Sequence, residues 1–304
     1  MTNNTHKSKH VTAVGIDYIE TVVLDLMAKS FDAYQQRDLT RPQFQTSINE
    51  HANATAGILL TVIAVETIRN EIYYHTNTTI KNHPVQELAN TIHKKEPAFP
   101  KDKFVKLLNE IFVMRDVIAH NHLYEVEVEY KGRDMLPPKN TLLKGYGDDK
   151  KFENAVNHGD NKTKLLKLNV QPAKIGFDDL FKVLVLLDLI DGVINNVLWS
   201  SNDHLPGSHE IDGIWTENLS EVLVHYFDKL PTAGFAQNVE EVARLLRKDF
   251  ATFIPQTHTE YWFFTNICPK CSKLGFRKRP TLMSCSKCGA KKSVDGPYRG
   301  VETG

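Results

Sequence analysis

Three residues near the middle of the chain, Arg115, Asp116 and His120, are of the types needed to cut a phosphodiester bond without a metal ion. Arginine is always charged and can bind two phosphate oxygens through its planar guanidinium group. Histidine titrates near neutral pH, so it can accept or donate a proton. Residues four apart lie on the same face of a helix, and Asp116 could therefore orient His120 and raise its pKa. The stretch predicts a catalytic site for metal-free phosphodiester chemistry.

RNA is the substrate that fits this chemistry. Its cleavage needs a base that deprotonates the ribose 2′-OH, an acid that protonates the leaving 5′-oxygen, and a cation that stabilises charge on the phosphorane. One histidine fills only one proton-transfer role in a turnover. Arg115 and His120 are about 140° apart around a helix axis, so they do not face the same way. A dimer in which two copies of the stretch share one cleft would supply both roles, and we expect a homodimer.

The four cysteines of the chain form two CxxC pairs near its C-terminus. Each pair presents two thiolates from a tight turn, and two such pairs close a tetrahedral site, so we expect a structural Zn²⁺ and no catalytic metal. The spacing resembles that of a zinc ribbon. A module of this size buries too little core to fold alone, so metal binding is expected to fold it. Iron bound as in rubredoxin is a less favoured alternative. The predicted ligands are Cys268, Cys271, Cys285 and Cys288.

The cysteine pairs lie in a basic part of the chain. Residues 265–304 contain nine lysines and arginines and two acids, a net charge of +7, although the whole chain is neutral. A basic tail on a mildly acidic body suggests contact with nucleic-acid phosphates. A solvated surface, or one that docks a partner protein, is the alternative. The candidate nucleic-acid-binding residues are Lys270, Lys273, Arg277, Lys278, Arg279 and Lys287.

Helical periodicity dominates the elements that must position the catalytic stretch. Apolar residues recur three and four positions apart, and proline or asparagine interrupts the pattern between segments. The predicted helices cover residues 15–37, 43–76, a short segment from Pro84, 100–124, 176–199, 217–229 and 239–254. Arg115 and His120 fall in the C-terminal half of the fourth helix. The sequence therefore predicts a mainly α protein built as a helical bundle.

Residues 125–172 break this pattern. Glu125 to Tyr130 alternate between acidic and other residues and predict a strand, and residues 165–170 are a candidate partner strand. We expect a polar loop or β-hairpin insertion between two core helices. Residues 200–214 predict a loop, and the aromatic run 261–264 predicts a short strand leading into the cysteine module.

The composition, 41% hydrophobic and 24% charged, is that of a soluble globular protein. No apolar run reaches about 18 residues, so no membrane span is expected. The first ten residues are polar, which predicts no secretory signal, and CxxC pairs favour a reducing, cytoplasmic compartment. The predicted organisation is a disordered tail (1–13), a helical domain (14–200) with the insertion 125–172, an additional helical segment (201–258) and a basic zinc ribbon (259–304).

The run from Arg115 to His120, late in an amphipathic helix of an all-α domain, resembles the motif of the HEPN superfamily. That motif is an arginine, a polar residue, several further positions and then a histidine. Asp116 occupies the polar position, where the family often has asparagine. The resemblance covers about residues 15–200 and implies a four- or five-helix core, homodimerisation about the motif helix and metal-independent endoribonuclease activity. It also suggests a role in bacterial defence or a toxin system.

These observations favour a homodimeric endoribonuclease that leaves a 2′,3′-cyclic phosphate. Arg115 would polarise the scissile phosphate, His120 would act as general base or acid, and the basic ribbon would recruit RNA. A free ribonuclease would harm its host, so a regulatory protein partner is expected. The alternative is a non-catalytic nucleic-acid-binding or adaptor protein with a HEPN-like dimerisation domain. No carboxylate constellation supports a metal-dependent nuclease, and Glu66 is interpreted as structural.

Overall fold

In the described part of this computed structural model the chain is mainly helical, as predicted. That part comprises residues 16–38, 45–76, 84–120, 123–127, 130–132, 134–135, 140–144, 149–157, 159–198, 209–211, 214–216, 219–229, 233–254, 276–279, 282–285 and 291–293. Its α-helices are α1 (Ile16–Gln35), α2 (Ile48–Thr76), α3 (Pro84–Lys95), α4 (Lys101–His120), α5 (Asp149–Ala155), α6 (Phe177–Val197), α7 (Leu219–Asp228) and α8 (Ala233–Phe250). The predicted tail 1–13 lies outside these residues.

Helix α6 lies at the centre of the bundle. It is apolar on nearly every side, as expected of a helix that is surrounded by other helices. Helices α1, α2, α3, α7 and α8 all contact it. Gly57 lets α2 approach closely, because a Cβ atom at this position would lie 2.8 Å from Cδ2 of Leu180 on α6. The helix that follows the predicted insertion is therefore the core element around which the others pack.

Helix α8 was predicted from the spacing of its apolar residues. Val239, Val242, Ala243, Leu246 and Phe250 recur at helical spacing and are all buried in the core. The helix begins at Ala233, six residues before the predicted start. Residues 251–253 form a 3₁₀ turn after it. Helices α7 and α8 thus belong to the same hydrophobic core as α1 to α6.

The predicted strand after α4 is present, but its predicted partner was wrong. Strand β1 (Leu123–Glu127) pairs antiparallel with β4 (Asn140–Lys144), and β2 (Tyr130–Lys131) pairs with β3 (Asp134–Met135) between them. An alternating pattern does not specify its partner, and the nearer segment closes a shorter loop. Helix α4 ends at His120, so the expected extension of that helix to Tyr124 was also wrong.

The second half of the predicted insertion is part of the core. Strands β5 (Val156–Asn157) and β6 (Lys162–Thr163) follow α5, and the buried residues Leu166, Leu168 and Val170 follow β6. Glu110 on α4 accepts hydrogen bonds from the backbone N–H groups of Leu165 and Leu166, at 2.7 and 2.8 Å. Burial raises the pKa of Glu110, although these bonds oppose the shift. The segment is therefore fastened to the helix that carries Arg115.

Two short antiparallel sheets complete the described structure. Strands β7 (His209–Ile211) and β8 (Ile214–Thr216) form a hairpin where the sequence predicted a loop. Strands β9 (Phe276–Arg279), β10 (Leu282–Cys285) and β11 (Lys291–Ser293) form a three-stranded sheet with β10 in the middle. The predicted aromatic strand 261–264 lies outside the residues that the structure describes.

By length and composition alone, helix α2 is long and apolar enough to cross a membrane. Within Ile48–Tyr74, an 18-residue window has a mean hydropathy of 1.3, and 44% of that window is buried inside the protein. The core helix of a soluble protein can be as long and as apolar. The contacts of α2 with α1, α4 and α6 are those of a core helix.

Candidate functional site

Helix α4 positions the predicted catalytic residues. It starts directly after Pro100 and has Asp102 in its first turn, a favourable arrangement for a helix N-terminus. Its buried residues Phe104, Leu108 and Ile111 share one face and hold that face against the core. Arg115, four residues after Ile111, continues this face towards the C-terminal end of α4, where its side chain is 37% exposed.

Arg115 bends back towards α2 and towards its own neighbour. Its Nε and Nη2 atoms donate hydrogen bonds to Oδ1 of Asp116 at 3.1 and 2.9 Å. Its Nη1 atom donates to Oε1 of Glu66 on α2 at 3.2 Å. The guanidinium carbon lies 5.0 Å from the centre of the Phe112 ring, within reach of a cation–π contact. Arg115 therefore joins α4 to α2 at a position that water reaches.

Lys151 on α5 adds a second cation to the group. Its Nζ atom lies 2.6 Å from Oδ2 of Asp116, so each carboxylate oxygen of Asp116 is bound by a different cation. We call Glu66, Arg115, Asp116 and Lys151 the Arg115 cluster. Its two cations and two carboxylates balance in formal charge. Burial would raise the pKa of Asp116, but the hydrogen bonds from Lys151 and Arg115 outweigh it and hold the pKa below its usual value.

The structure brings two of the three predicted catalytic residues together. Arg115 and Asp116 are hydrogen-bonded, whereas the His120 side chain lies outside the described part, although its backbone ends α4. The orientation of His120 by Asp116 therefore stays a prediction. Glu66 was interpreted as structural, and it is a direct ion-pair partner of Arg115.

Lys151 was missed by the sequence analysis. It lies in the stretch that was expected to be a polar loop, and α5 is only seven residues long. The only signal was the spacing of Phe152, Ala155 and Val156, three and four positions apart, all of which are buried. That spacing indicates one apolar helix face and would have placed a lysine beside it.

On the N-terminal side of Glu66, the surface of α2 next to the Arg115 cluster is apolar. Ile63, three residues before Glu66, is 45% exposed. Leu59 and Ala56 precede it on the same helix face and are half-buried. We call these three residues the α2 apolar patch. A cavity of about 380 Å³ elsewhere in the molecule is lined by Lys95, Glu96, Ala98, Asn196, Val197, Thr252 and Phe253, none of which belongs to the cluster.

Little of the predicted zinc site falls in the described structure. Cys285 is the last residue of β10, whereas Cys268, Cys271 and Cys288 lie outside the described residues. Of the candidate nucleic-acid-binding residues, Arg277, Lys278 and Arg279 belong to β9, and Lys270, Lys273 and Lys287 lie outside as well. In the part of the chain that is described, no group of three or more His, Cys, Asp and Glu residues could hold a metal ion.

No protein-family model matches the chain, and comparisons with the curated proteins and with the solved structures found no similar protein.

Proposed function

We propose that the protein is a metal-independent endoribonuclease that acts as a homodimer. The observation that carries this proposal is the placement of Arg115: a permanently charged guanidinium, 37% exposed, on the helix that ends at His120. Arginine at such a position can bind a phosphate bidentately and stabilise charge that develops on it. The resemblance of residues 115–120 to the HEPN motif supports the same activity.

The reaction begins when a phosphate of RNA displaces Glu66 from Nη1 of Arg115. A basic imidazole removes the proton of the 2′-OH, and the 2′-oxygen attacks phosphorus. The bond from phosphorus to the 5′-oxygen breaks, and an acidic imidazole protonates that oxygen. His120 supplies one of these two roles, and the partner subunit's His120 supplies the other. Arg115 stabilises the negative charge of the phosphorane that forms before the bond to the 5′-oxygen breaks. The products are a 2′,3′-cyclic phosphate and a 5′-OH.

The α2 apolar patch supports the homodimer. An exposed isoleucine with half-buried apolar neighbours, directly beside the Arg115 cluster, is a surface that a second copy would cover. A twofold axis there would pair the same patch from both copies and bring two Arg115 residues to one cleft. Such an interface would lie on the same side of the molecule as Arg115, where the proposed reaction needs a second subunit.

The C-terminal module would bind a structural Zn²⁺ through Cys268, Cys271, Cys285 and Cys288 and would recruit RNA. Thiolates are the ligands that structural zinc sites use, and the β9–β10 hairpin leads from the first cysteine pair to Cys285. The basic side chains between the pairs would contact phosphates, with an affinity that falls steeply as salt rises. We also propose that the protein is cytoplasmic and that a regulatory protein partner inhibits its ribonuclease activity.

The test is cleavage of a labelled single-stranded RNA in magnesium-free buffer with EDTA, with the ends of the products mapped. We expect cleavage with 2′,3′-cyclic phosphate ends, none of a 2′-O-methyl RNA, and a rate lowered about 100-fold or more by Arg115→Ala or His120→Ala. Arg69→Ala, which removes a half-buried arginine from α2, is the matched control and should cleave normally. Zinc content is measured before and after EDTA, so that loss of the ribbon metal is not mistaken for loss of a catalytic one.

One observation favours a second function, a nucleic-acid-binding adaptor without catalysis. Arg115 already has two carboxylate partners, Glu66 and Asp116, as an arginine with a purely structural role would have. RNA binding that persists without cleavage, in the wild-type protein as in His120→Ala, would establish the adaptor. Cleavage that stops in EDTA and returns with Mg²⁺ would contradict both proposals.

A further inference from the structure

We infer that Lys151 is a positioning residue for Arg115: it holds the carboxylate of Asp116 in the orientation that presents Oδ1 to the guanidinium. The effect of Lys151 on RNA cleavage rests on the proposed function, whereas its effect on Arg115 does not. Lys151 comes from a part of the chain remote from the motif, 35 residues after Asp116, so it is a component that the motif itself does not contain.

The geometry shows how one residue controls the other. Lys151 Nζ binds Oδ2 of Asp116 at 2.6 Å, and Arg115 binds Oδ1 through two nitrogens at 2.9 and 3.1 Å. A carboxylate whose two oxygens are held by different cations cannot rotate without breaking at least one of these contacts. The Asp116 side chain is 20% exposed and that of Lys151 is 24% exposed, so the contact is less screened than one in open water.

The backbone that carries Lys151 is itself fixed. Phe152 and Ala155 anchor α5 in the core, and α5 contacts α4 directly. Lys164 donates hydrogen bonds to α5 twice, from its backbone N–H to the carbonyl oxygen of Ala155 at 2.8 Å and from Nζ to that of Glu153 at 2.7 Å. The ammonium group is therefore presented by a packed helix. A side chain on a packed helix is positioned more precisely than one on a loop, because its backbone is fixed.

Charge gives Lys151 a second effect on the same site. While Lys151 is present, Asp116 shares its negative charge between two cations. Without Lys151, the Arg115 cluster would have one cation and two carboxylates, a formal negative charge that repels an RNA phosphate. Loss of Lys151 is therefore expected to weaken catalysis even though Lys151 touches Asp116 and not the reacting phosphate.

The experiment compares Lys151→Met and Lys151→Arg with the control Lys150→Met. Lys150 is the preceding residue of α5 and is exposed, so its replacement removes the same charge from the same helix. In protein labelled with ¹⁵N-arginine, the Hε signal of Arg115 is assigned from its disappearance in Arg115→Lys, and its exchange with solvent is measured without RNA. Single-turnover cleavage is measured on the same proteins across pH.

We expect Lys151→Met to accelerate Hε exchange at least about fivefold and to slow single-turnover cleavage about 10- to 100-fold, as loss of a residue that orients a catalytic group does. Lys151→Arg should restore both, and Lys150→Met should change neither. If Lys151→Met folds poorly, Lys151→Gln removes the same charge but keeps a polar side chain, and it should give the same change in exchange.

Two results would overturn the inference. One is unchanged Hε exchange in Lys151→Met, and the other is an equal loss of cleavage in Lys150→Met and Lys151→Met, which would indicate a general effect of charge. If the wild-type protein cuts no RNA but Lys151→Met still changes the exchange of Arg115, the proposed function fails and the positioning role of Lys151 stands.

Discussion

The Arg37–Glu50 pair and the Arg115 cluster both join separate segments of the chain through an arginine and a carboxylate, but the Arg115 cluster is more exposed to water. The Glu50 side chain is 0% exposed and that of Arg37 is 16% exposed. Oε1 of Glu50 also accepts the backbone N–H of Phe177 at 2.9 Å, at the start of α6. In the Arg115 cluster, the side chains of Arg115 and Glu66 are 37% and 35% exposed.

This difference in burial separates a structural pair from one that can exchange partners. Removing one member of a buried pair leaves an uncompensated charge in the protein interior, which costs several kcal/mol. An exposed pair contributes little, because water solvates either member when the other leaves. A phosphate can therefore replace Glu66 on Arg115 at small cost, whereas a ligand that replaced Glu50 on Arg37 would leave a buried carboxylate without its cation.

The largest expected effect is on stability. Arg37→Met should lower the free energy of unfolding by about 3 to 5 kcal/mol, because it leaves the buried Glu50 carboxylate without its cation. Arg115→Met should lower it by less than about 1 kcal/mol. Urea denaturation of both variants beside the wild-type protein measures the two changes. Equal losses of stability in the two variants would contradict the distinction between the Arg37–Glu50 pair and the Arg115 cluster.

The two regions should also respond to pH in opposite directions. Burial raises the pKa of Asp178, next to the Arg37–Glu50 pair, to about 6, although Arg37 opposes the shift. In the unfolded chain its pKa is about 4, so the folded protein retains a proton between these values and stability falls as pH rises through that window. Asp178→Asn should remove this decrease, about 2 to 3 kcal/mol between pH 4 and pH 7.

Asp116 is the counterpart in the Arg115 cluster. Its pKa is lowered, so its contribution to stability is present above the pKa of the unfolded chain and is lost as pH falls through the folded value. Asp116→Asn should therefore destabilise at neutral pH, by less than about 1 kcal/mol, and have no effect in acid. Urea midpoints across pH measure both variants, and a parallel pH response would contradict the assigned shifts.

The smallest expected effect is on RNA affinity. Glu66→Gln removes one carboxylate that competes with phosphate for Arg115, and binding of an uncleavable 2′-O-methyl RNA should tighten about two- to fivefold at fixed salt. Glu153→Gln, which removes an exposed carboxylate from the nearby helix α5, is the control for overall charge. Equal tightening in both variants would show that RNA does not contact Arg115 where Glu66 does.

The sequence predicted the helices well because their signals are local. Apolar spacing in α4 and α8, together with Pro84 and Pro100 at helix starts, requires no knowledge of distant residues. The partner of β1 was predicted wrongly because strand pairing depends on which segments meet in space. Phe152 and its neighbours give so short an apolar pattern that α5 was not recognised.

The same distinction applies to the candidate site. Arg115 could be recognised from the sequence because the histidine that follows it by five residues belongs to the same helix. Glu66 contacts Arg115 from 49 residues away in the chain, Lys151 contacts Asp116 from 35 residues away, and no local pattern brings them there. Composition and periodicity indicate which elements form, whereas the electrostatics of a site depend on how those elements pack.

The two hydrogen bonds from the backbone of Leu165 and Leu166 to Glu110 have a practical consequence for protein engineering. The hairpin around Gly132, whose φ of 68° suits a tight turn, offers a place for an epitope or a fluorophore, because residues 130–132 are exposed. An insertion between 159 and 170 would instead remove the two backbone hydrogen bonds to the buried carboxylate of Glu110 and destabilise the packing of this segment against α4. Within this one polar stretch, insertions are thus expected to be tolerated near Gly132 and to destabilise the protein between 159 and 170.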